Sequence, residues 1–287
     1  MDATETLIED GLELSRAGRH AEAVQRFHQA VTQKPDAHDA WVCLSDELHA
    51  IDDYPGAAAA ADRALAIQPT CSAWISKAAA LDGLGRYEES AAAIHQAIAL
   101  EPANPYAHYC MGQALARQHN AQGALAAFDY ALGLDSTLAP ALAGKAAALM
   151  GLDRTQEART AADRALAMDP GIAAVWQIKA VILAGTDRNF AAAEHAIDQA
   201  IAIEPNDADF VAWKGAIIAD LGRHHEARQL WQRALQLDPQ NEMARDMLGQ
   251  SIQQRNERIA GTAMRTGSGC LGVLMDVTVA FVKAIFR

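Results

Sequence analysis

The chain has 287 residues, 51% hydrophobic and 21% charged, with a formal net charge of −12. This is the composition of an ordinary folded, water-soluble protein and excludes a disordered or fully membrane-embedded one. Residues 242–287 hold six Lys/Arg and four Asp/Glu, so the negative charge lies in residues 1–241, and so acidic a body is not expected to take nucleic acid as a partner.

The chain opens MDATETLIEDG, which has neither a basic n-region nor an apolar h-region. No secretory signal is expected, and the protein is read as cytoplasmic. From residue 4 onwards the dominant feature is a repeat. Prolines stand at Pro35, Pro69, Pro102, Pro170, Pro205 and Pro239, and Ser136 fills the one vacant place. Five residues before each marker is an alanine: Ala30, Ala64, Ala97, Ala131, Ala165, Ala200 and Ala234. Twelve residues before each is another small residue: Ala23, Ala57, Ser90, Ala124, Ala158, Ala193 and Ala227. A third small column runs through Gly11, Ser45, Ala78, Gly112, Ala146, Ala180 and Gly215.

Each unit reads as two amphipathic helices whose axes approach closely at the small residues. Leu14, Leu48, Leu81, Leu115, Leu149, Leu183 and Ile218 form a large apolar column around them, and Trp41, Trp74 and Trp176 another. The proline stops each second helix, because it lacks an N–H and clashes with the preceding turn. Turns such as GLGRYEES and DLGRHHEA separate the helices, with glycine supplying the reversal.

This pattern resembles the tetratricopeptide repeat family. The unit AWISKAAALDGLGRYEESAAAIHQAIALEP shows it best, with Trp74, Ala78, Leu81, Tyr87, Ala97 and Pro102 in the family's places. The resemblance implies an all-α fold, a right-handed superhelical solenoid of helix-turn-helix repeats. Seven repeats are expected over residues 4–241, and a capping helix over 242–261, which such solenoids need to close the stacked core. Three departures stand out: Ser136 replaces proline, the third repeat enters one residue early, and one residue is inserted in the Ala184–Asn189 turn.

Motifs of catalysis are missing: the sequence holds no HExxH, no P-loop, no GxSxG and no glycine-rich turn after a strand. His224 and His225 beside Glu226 diverge by about 100° per residue on a helix and converge poorly on a metal. His108 and Cys110 point apart for the same reason. Cys43, Cys71, Cys110 and Cys270 show no CxxC spacing and read as reduced, idle thiols. Neither an enzyme nor a cofactor or metal is expected.

What remains is a surface for another protein or peptide. In the family, the first helices of successive repeats line a concave groove. By position this groove is lined here by Asp39, Val42, Asp46, Ile75, Ala79, Tyr106, Tyr109, Gln113, Ala143, Ala147, Gln177, Val181, Ala212 and Ala216. Some family members clamp carboxylates with lysine and asparagine at such positions, but none of these is Lys, Arg or Asn. A small, apolar, mildly acidic groove suits an apolar helical segment with few positive charges.

The chain ends in an apolar stretch. Residues 262–270 read as a flexible linker and 271–287 as an apolar segment containing Leu271, Leu274, Val277, Phe281, Ile285 and Phe286. On a helix, Asp276, Lys283 and Arg287 fall within about 40° of one another and leave the other faces apolar. A strand also fits, because Leu271, Val273, Met275, Val277, Val279 and Phe281 alternate. The segment is short for a bilayer span and carries Asp276 near its middle. Three destinations follow: the groove of this chain or of a second copy, a partner, or a membrane. The main expectation is a protein-binding scaffold with a reversibly docking tail, and the alternative is an adaptor tethered to a membrane by that tail.

Overall fold

The structure, a computed structural model, describes residues 3–259, with side chains described as far as residue 253. These residues form helices throughout, in consecutive pairs. The pairs are α1 (Ala3–Arg16) with α2 (His20–Gln33), α3 (His38–Ala50) with α4 (Tyr54–Ile67), and α5 (Cys71–Gly83) with α6 (Tyr87–Leu100). Next come α7 (Pro105–Arg117) and α8 (Ala121–Leu134), then α9 (Ala139–Gly151) with α10 (Thr155–Met168). After them come α11 (Ala173–Gly185) with α12 (Phe190–Ile203) and α13 (Ala208–Asp220) with α14 (His224–Leu237). A last helix, α15 (Glu242–Ile259), packs on α14 and α13. Two compact units are distinguished, Met1–Ala114 (unit 1) and Leu115–Arg287 (unit 2).

The three small columns explain the pairing. Every alanine five residues before a marker has 0% exposure, and every residue twelve before has at most 1%. The third column is buried as well, from Gly11 and Ser45 through Gly112 to Gly215. Its residues match the volume of the side chain they face. A Cβ added at Gly11 would lie 2.7 Å from the Phe27 ring, and one at Gly215 would lie 2.4 Å from Trp231. Where the column holds Ser45 its hydroxyl donates instead to the Ala57 carbonyl, at 2.9 Å. Close approach of helices is thus bought residue by residue, since interiors leave no slack for an extra methyl group.

The turn inside each pair has one residue in the left-handed region: Gly18, Asp52, Gly85, His119, Asp153, Arg188 and Gly222, with φ between 54° and 80°. Glycine therefore supplies the reversal in three turns only. In the other four a side-chained residue carries the strain of that conformation. The next N–H closes the helix on the carbonyl of the apolar column, as from Arg19 to Leu14 and from Asp53 to Leu48, both at 2.9 Å. The inserted residue shows here: Asn189 N–H reaches Leu183 one step further along the chain, and Asp187 in the enlarged turn pairs with Arg159 through two bonds of 2.7 Å.

The second helices start in two alternating ways. Asp53, Asn120 and Asn189 cap theirs by accepting from a backbone N–H three residues on. Arg19, Arg86, Arg154 and Arg223 instead hold a glutamate three residues ahead, where a negative charge also suits the helix N-terminus. Between repeats a lysine of the first helix pairs with an aspartate of the preceding second helix. The pairs are Lys77–Asp62, Lys145–Asp129, Lys179–Asp163 and Lys214–Asp198, at 2.6 to 2.8 Å. Ser136 leaves the geometry of its loop intact, because Asp135 N–H still bonds the Ala131 carbonyl at 2.8 Å. The third repeat does enter early, with α5 capped by Thr70 directly after Pro69.

Candidate functional site

The first helices of unit 1 carry the positions expected to line a groove. On α3, Asp39 and Asp46 are exposed and Val42 is half-buried. On α5, Ile75 and Ala79 are half-buried; on α7, Tyr106 is exposed while Tyr109 and Gln113 are half-buried. These three helices are held side by side. Asp46 accepts from Ser76 Oγ at 2.6 Å, and Asn104 at the start of α7 donates to Cys71 Sγ at 3.5 Å. Ala97 and Ala107 pack with Cys71, Trp74 and Ile75.

Asp39 is exposed and bonded to His38 Nδ1 at 2.9 Å, while His38 Nε2 meets Thr70 Oγ1, the cap of α5. Asp46 combines solvent access with a crowded surrounding. Burial against protein, opposed by the Ser76 bond, pushes its carboxyl up to about 6. Water therefore reaches the group without fully surrounding it. Tyr106 and Tyr109 lie with ring centroids 5.4 Å apart at 42°, and Gln113 Nε2 donates to the Tyr109 hydroxyl at 2.7 Å. Burial, followed by the Tyr106 and Cys110 charges, holds the Tyr109 phenol well above its ordinary range.

Sequence reasoning missed two features beside this wall. Ser76 on α5 donates to Asp46 across to α3, a contact that no column of the repeat marks. Glu47 is buried at 7% exposure and is met by Ser15 Oγ at 2.6 Å and His20 Nδ1 at 2.9 Å. No periodicity marks a buried carboxylate, although a glutamate between Ser45 and Leu48 on the inner face could have prompted the search. The carboxylate sits between the serine and the histidine, so the histidine does not reach the serine hydroxyl and the trio is not a nucleophile with its base.

In unit 2 the corresponding positions differ. Ala143 is half-buried. Ala147, Gln177, Val181, Ala212 and Ala216 are buried, with exposures of 0% to 7%. The described cysteines are poor nucleophiles: burial, with nearby acidic groups for Cys43, pushes Cys43 and Cys110 up to about 12 and Cys71 to about 11. Among the described residues no three His, Cys, Asp or Glu side chains converge on a metal position, and Glu226 is taken up by Arg223. Among the same residues no helix is long and apolar enough to cross a membrane. Leu271, Leu274, Val277, Phe281, Ile285, Phe286 and Cys270 lie outside the described residues.

Solved structures share this arrangement. A chain in the crystal structure of the APC/C hetero-tetramer Cut9-Hcn1 superposes with a TM-score of 0.75 at 16% identity, covering 84% of this chain and 48% of that one. A tetratricopeptide repeat protein from Parabacteroides merdae ATCC 43184 gives a TM-score of 0.63, again at 16% identity, covering 88% of this chain and 100% of that one. At such identities the likeness is one of fold, and this chain spans about half the length of the first of the two. No curated protein matches the sequence. A family model described as TPR repeat matches residues 84–118, and one described as Tetratricopeptide repeat matches 9–70 and 178–242. With these matches over more than half its length, and its helices paired in tandem, the chain belongs to the tetratricopeptide repeat family.

Proposed function

We propose that the protein is a non-catalytic scaffold that binds a partner protein along the inner wall of unit 1. The observation that carries this reading is the state of α3, α5 and α7. Their small columns are satisfied, yet Asp39, Val42, Asp46, Ile75, Tyr106 and Tyr109 keep solvent access. Exposed aromatic and aliphatic side chains on rigid helices suit a partner helix laid along the groove. In this reading residues 4–241 supply seven repeats, and α15, which buries Ala244 and Met247 against them, closes the far end. Segment 271–287 docks reversibly on the solenoid and competes with the partner, because the gain from burying its apolar side chains is close to the cost of ordering it.

Affinity capture with the full-length chain tests the wall. Partner recovery should fall sharply for the double variant Val42→Arg, Tyr106→Arg, with its helical circular dichroism retained. Undiminished recovery by that variant overturns the reading. Hydrogen exchange tests the tail. Protection of residues 271–286 in the isolated protein is expected, whereas free exchange, combined with capture of the full chain by liposomes, favours the membrane-tethered adaptor.

A further inference from the structure

Side chains at the starts of α3 and α5 form one continuous chain of hydrogen bonds. Asp39 Oδ1 meets His38 Nδ1 at 2.9 Å, His38 Nε2 meets Thr70 Oγ1 at 3.1 Å, and Thr70 Oγ1 meets Ser72 Oγ at 3.1 Å. The directions of these bonds follow from what each atom can do. A carboxylate only accepts, so Nδ1 carries the proton of the neutral imidazole and Nε2 is left to accept. Thr70 has one hydroxyl proton, which therefore goes to Nε2. Thr70 Oγ1 also accepts from the Ala73 N–H at 3.2 Å, and the last bond runs from the Ser72 hydroxyl to Thr70. Thr70 Oγ1 is thus fully engaged. Ser72 is exposed, and among the described residues nothing donates to its oxygen. The His38 side chain is only 12% exposed, which shields the imidazole from competing water.

This is the order of a nucleophile, its base and the group that orients the base, with a threonine inserted as a relay. Ser15, His20 and Glu47 have the same residue types in an order that cannot serve, because the carboxylate lies between the other two. We infer that Ser72 is an acyl-acceptor site, its hydroxyl activated by His38 through Thr70, and that it takes one acyl group from an ester or thioester. Ser72 Oγ bonds to the acyl carbon while its proton passes to Thr70 Oγ1 and the Thr70 proton passes to His38 Nε2. The bond from the acyl carbon to the leaving oxygen or sulfur breaks with its electron pair, and His38 returns the proton to that atom by way of Thr70. The N–H groups of Cys71 and Ser72, in the first turn of α5, have no partner inside the helix and face the developing oxyanion's charge with their positive ends. Cys71 itself is a poor competitor at 2% exposure. Thr70 and Asp39 are positioning residues: one relays the proton and the other sets the tautomer.

The test treats the full-length chain with p-nitrophenyl acetate, follows p-nitrophenolate release and locates the acetyl group by fragmentation mass spectrometry. Ser136, also exposed, is the internal reference. General-base catalysis contributes about a hundredfold at its low end, so Ser72 should acetylate about a hundredfold faster than Ser136. Thr70→Ser keeps both the cap and the hydroxyl and should keep this rate. Thr70→Asn caps α5 as well as threonine does but has no hydroxyl proton to pass on, so it should melt like the parent and lose the advantage. His38→Gln should lose it too, which keeps the relay testable if Thr70→Asn fails to fold. Equal acetylation of Ser72 and Ser136 overturns the proposal, as does an undiminished rate in Thr70→Asn or His38→Gln. Acetyl carried on Cys71, recognised by its release with neutral hydroxylamine, overturns it as well. The groove reading is independent of this site: its own test turns on Val42 and Tyr106, neither of which belongs to the chain of bonds.

Discussion

Helix α11 buries eight of its thirteen residues and α3 only five of its thirteen, although both meet their second helices through the same small columns. The residue that follows the third small column shows the difference most directly. In unit 1 it is Leu12, Asp46, Ala79 or Gln113, exposed or half-buried; in unit 2 it is Ala147, Val181 or Ala216, each at most 7% exposed. Charge divides the same way, with −10 in residues 1–114 and −2 in the remainder. The columns that join helices and the residues between them are therefore set independently. One frame carries an open acidic wall in unit 1 and covered apolar positions in unit 2. A helix that is apolar on nearly every side has to be covered, and α11, whose only charge is Lys179, is such a helix.

Exchanging residues between the units at that register is the strongest way to break the comparison. Val181→Asp places unit 1's carboxylate at a position with 5% exposure. An uncompensated buried charge should cost about 3–5 kcal/mol. Asp46→Val should cost little or be stabilising, because it removes a carboxylate that burial already opposes. Urea denaturation of both variants checks this. Similar losses would mean that the two registers do not differ in burial as described.

The frame, in contrast, should respond alike in both units. Gly11→Ala and Gly215→Ala each push a methyl group into an aromatic ring, at 2.7 Å in unit 1 and 2.4 Å in unit 2. Overpacking costs about 1–3 kcal/mol, and the helix propensity gained on replacing glycine returns about 1 kcal/mol of that. A net loss of about 1 kcal/mol is expected in either unit. Gly249→Ala is the control. It lies in α15 with nothing within 4 Å of the added methyl group, so it should stabilise by about 0.5–1 kcal/mol. Thermal melts that rank Gly249→Ala with the other two would deny the volume matching.

How much of this was legible follows from the same division. The frame was readable because small residues recur at fixed spacing: Ala131 or Ala200 at 0% exposure is what such a column predicts. The turn was readable only where glycine marked it. Asp52, His119, Asp153 and Arg188 take the same backbone conformation with no sign in the sequence. The wall was readable as a set of positions but not as a state. Asp39, Tyr106 and Gln177 were assigned by the same register, yet the first two are exposed and Gln177 is 5% exposed. Exposure at such a position depends on what lies across from it, and register along one helix does not encode that. The partnership of Ser76 with Asp46 joins neighbouring repeats, and the early entry of α5 sets it one residue off the regular count.

The smallest effect expected is a pH dependence, and it bears on Asp46 alone. Burial holds its folded pKa near 6, above the ordinary value of roughly 3.9 for an unfolded aspartate. Between those values the native state binds a proton that the unfolded state does not, so this group adds stability as pH falls through 6 and adds no more below about 4. Above pH 6 both states are ionised, and the buried charge is a standing cost. Asp46→Asn removes that cost, so it should melt above the parent at pH 8. Its advantage should shrink as the pH is lowered to 5. Because the carboxyl keeps contact with water, the change should be modest, a small shift in melting temperature. Taking the difference between variant and parent cancels the other carboxylates. These include Glu22, Glu89 and Glu157, whose arginine partners hold them below their ordinary range and whose contributions run the opposite way. Asp220 on α13 in unit 2 is also pushed up to about 6 by burial, with Arg188 pulling it back, and Asp220→Asn supplies the matching measurement. A parent–variant difference for Asp46→Asn that stays flat from pH 8 to 5 would mean that its carboxyl is solvated like any surface aspartate.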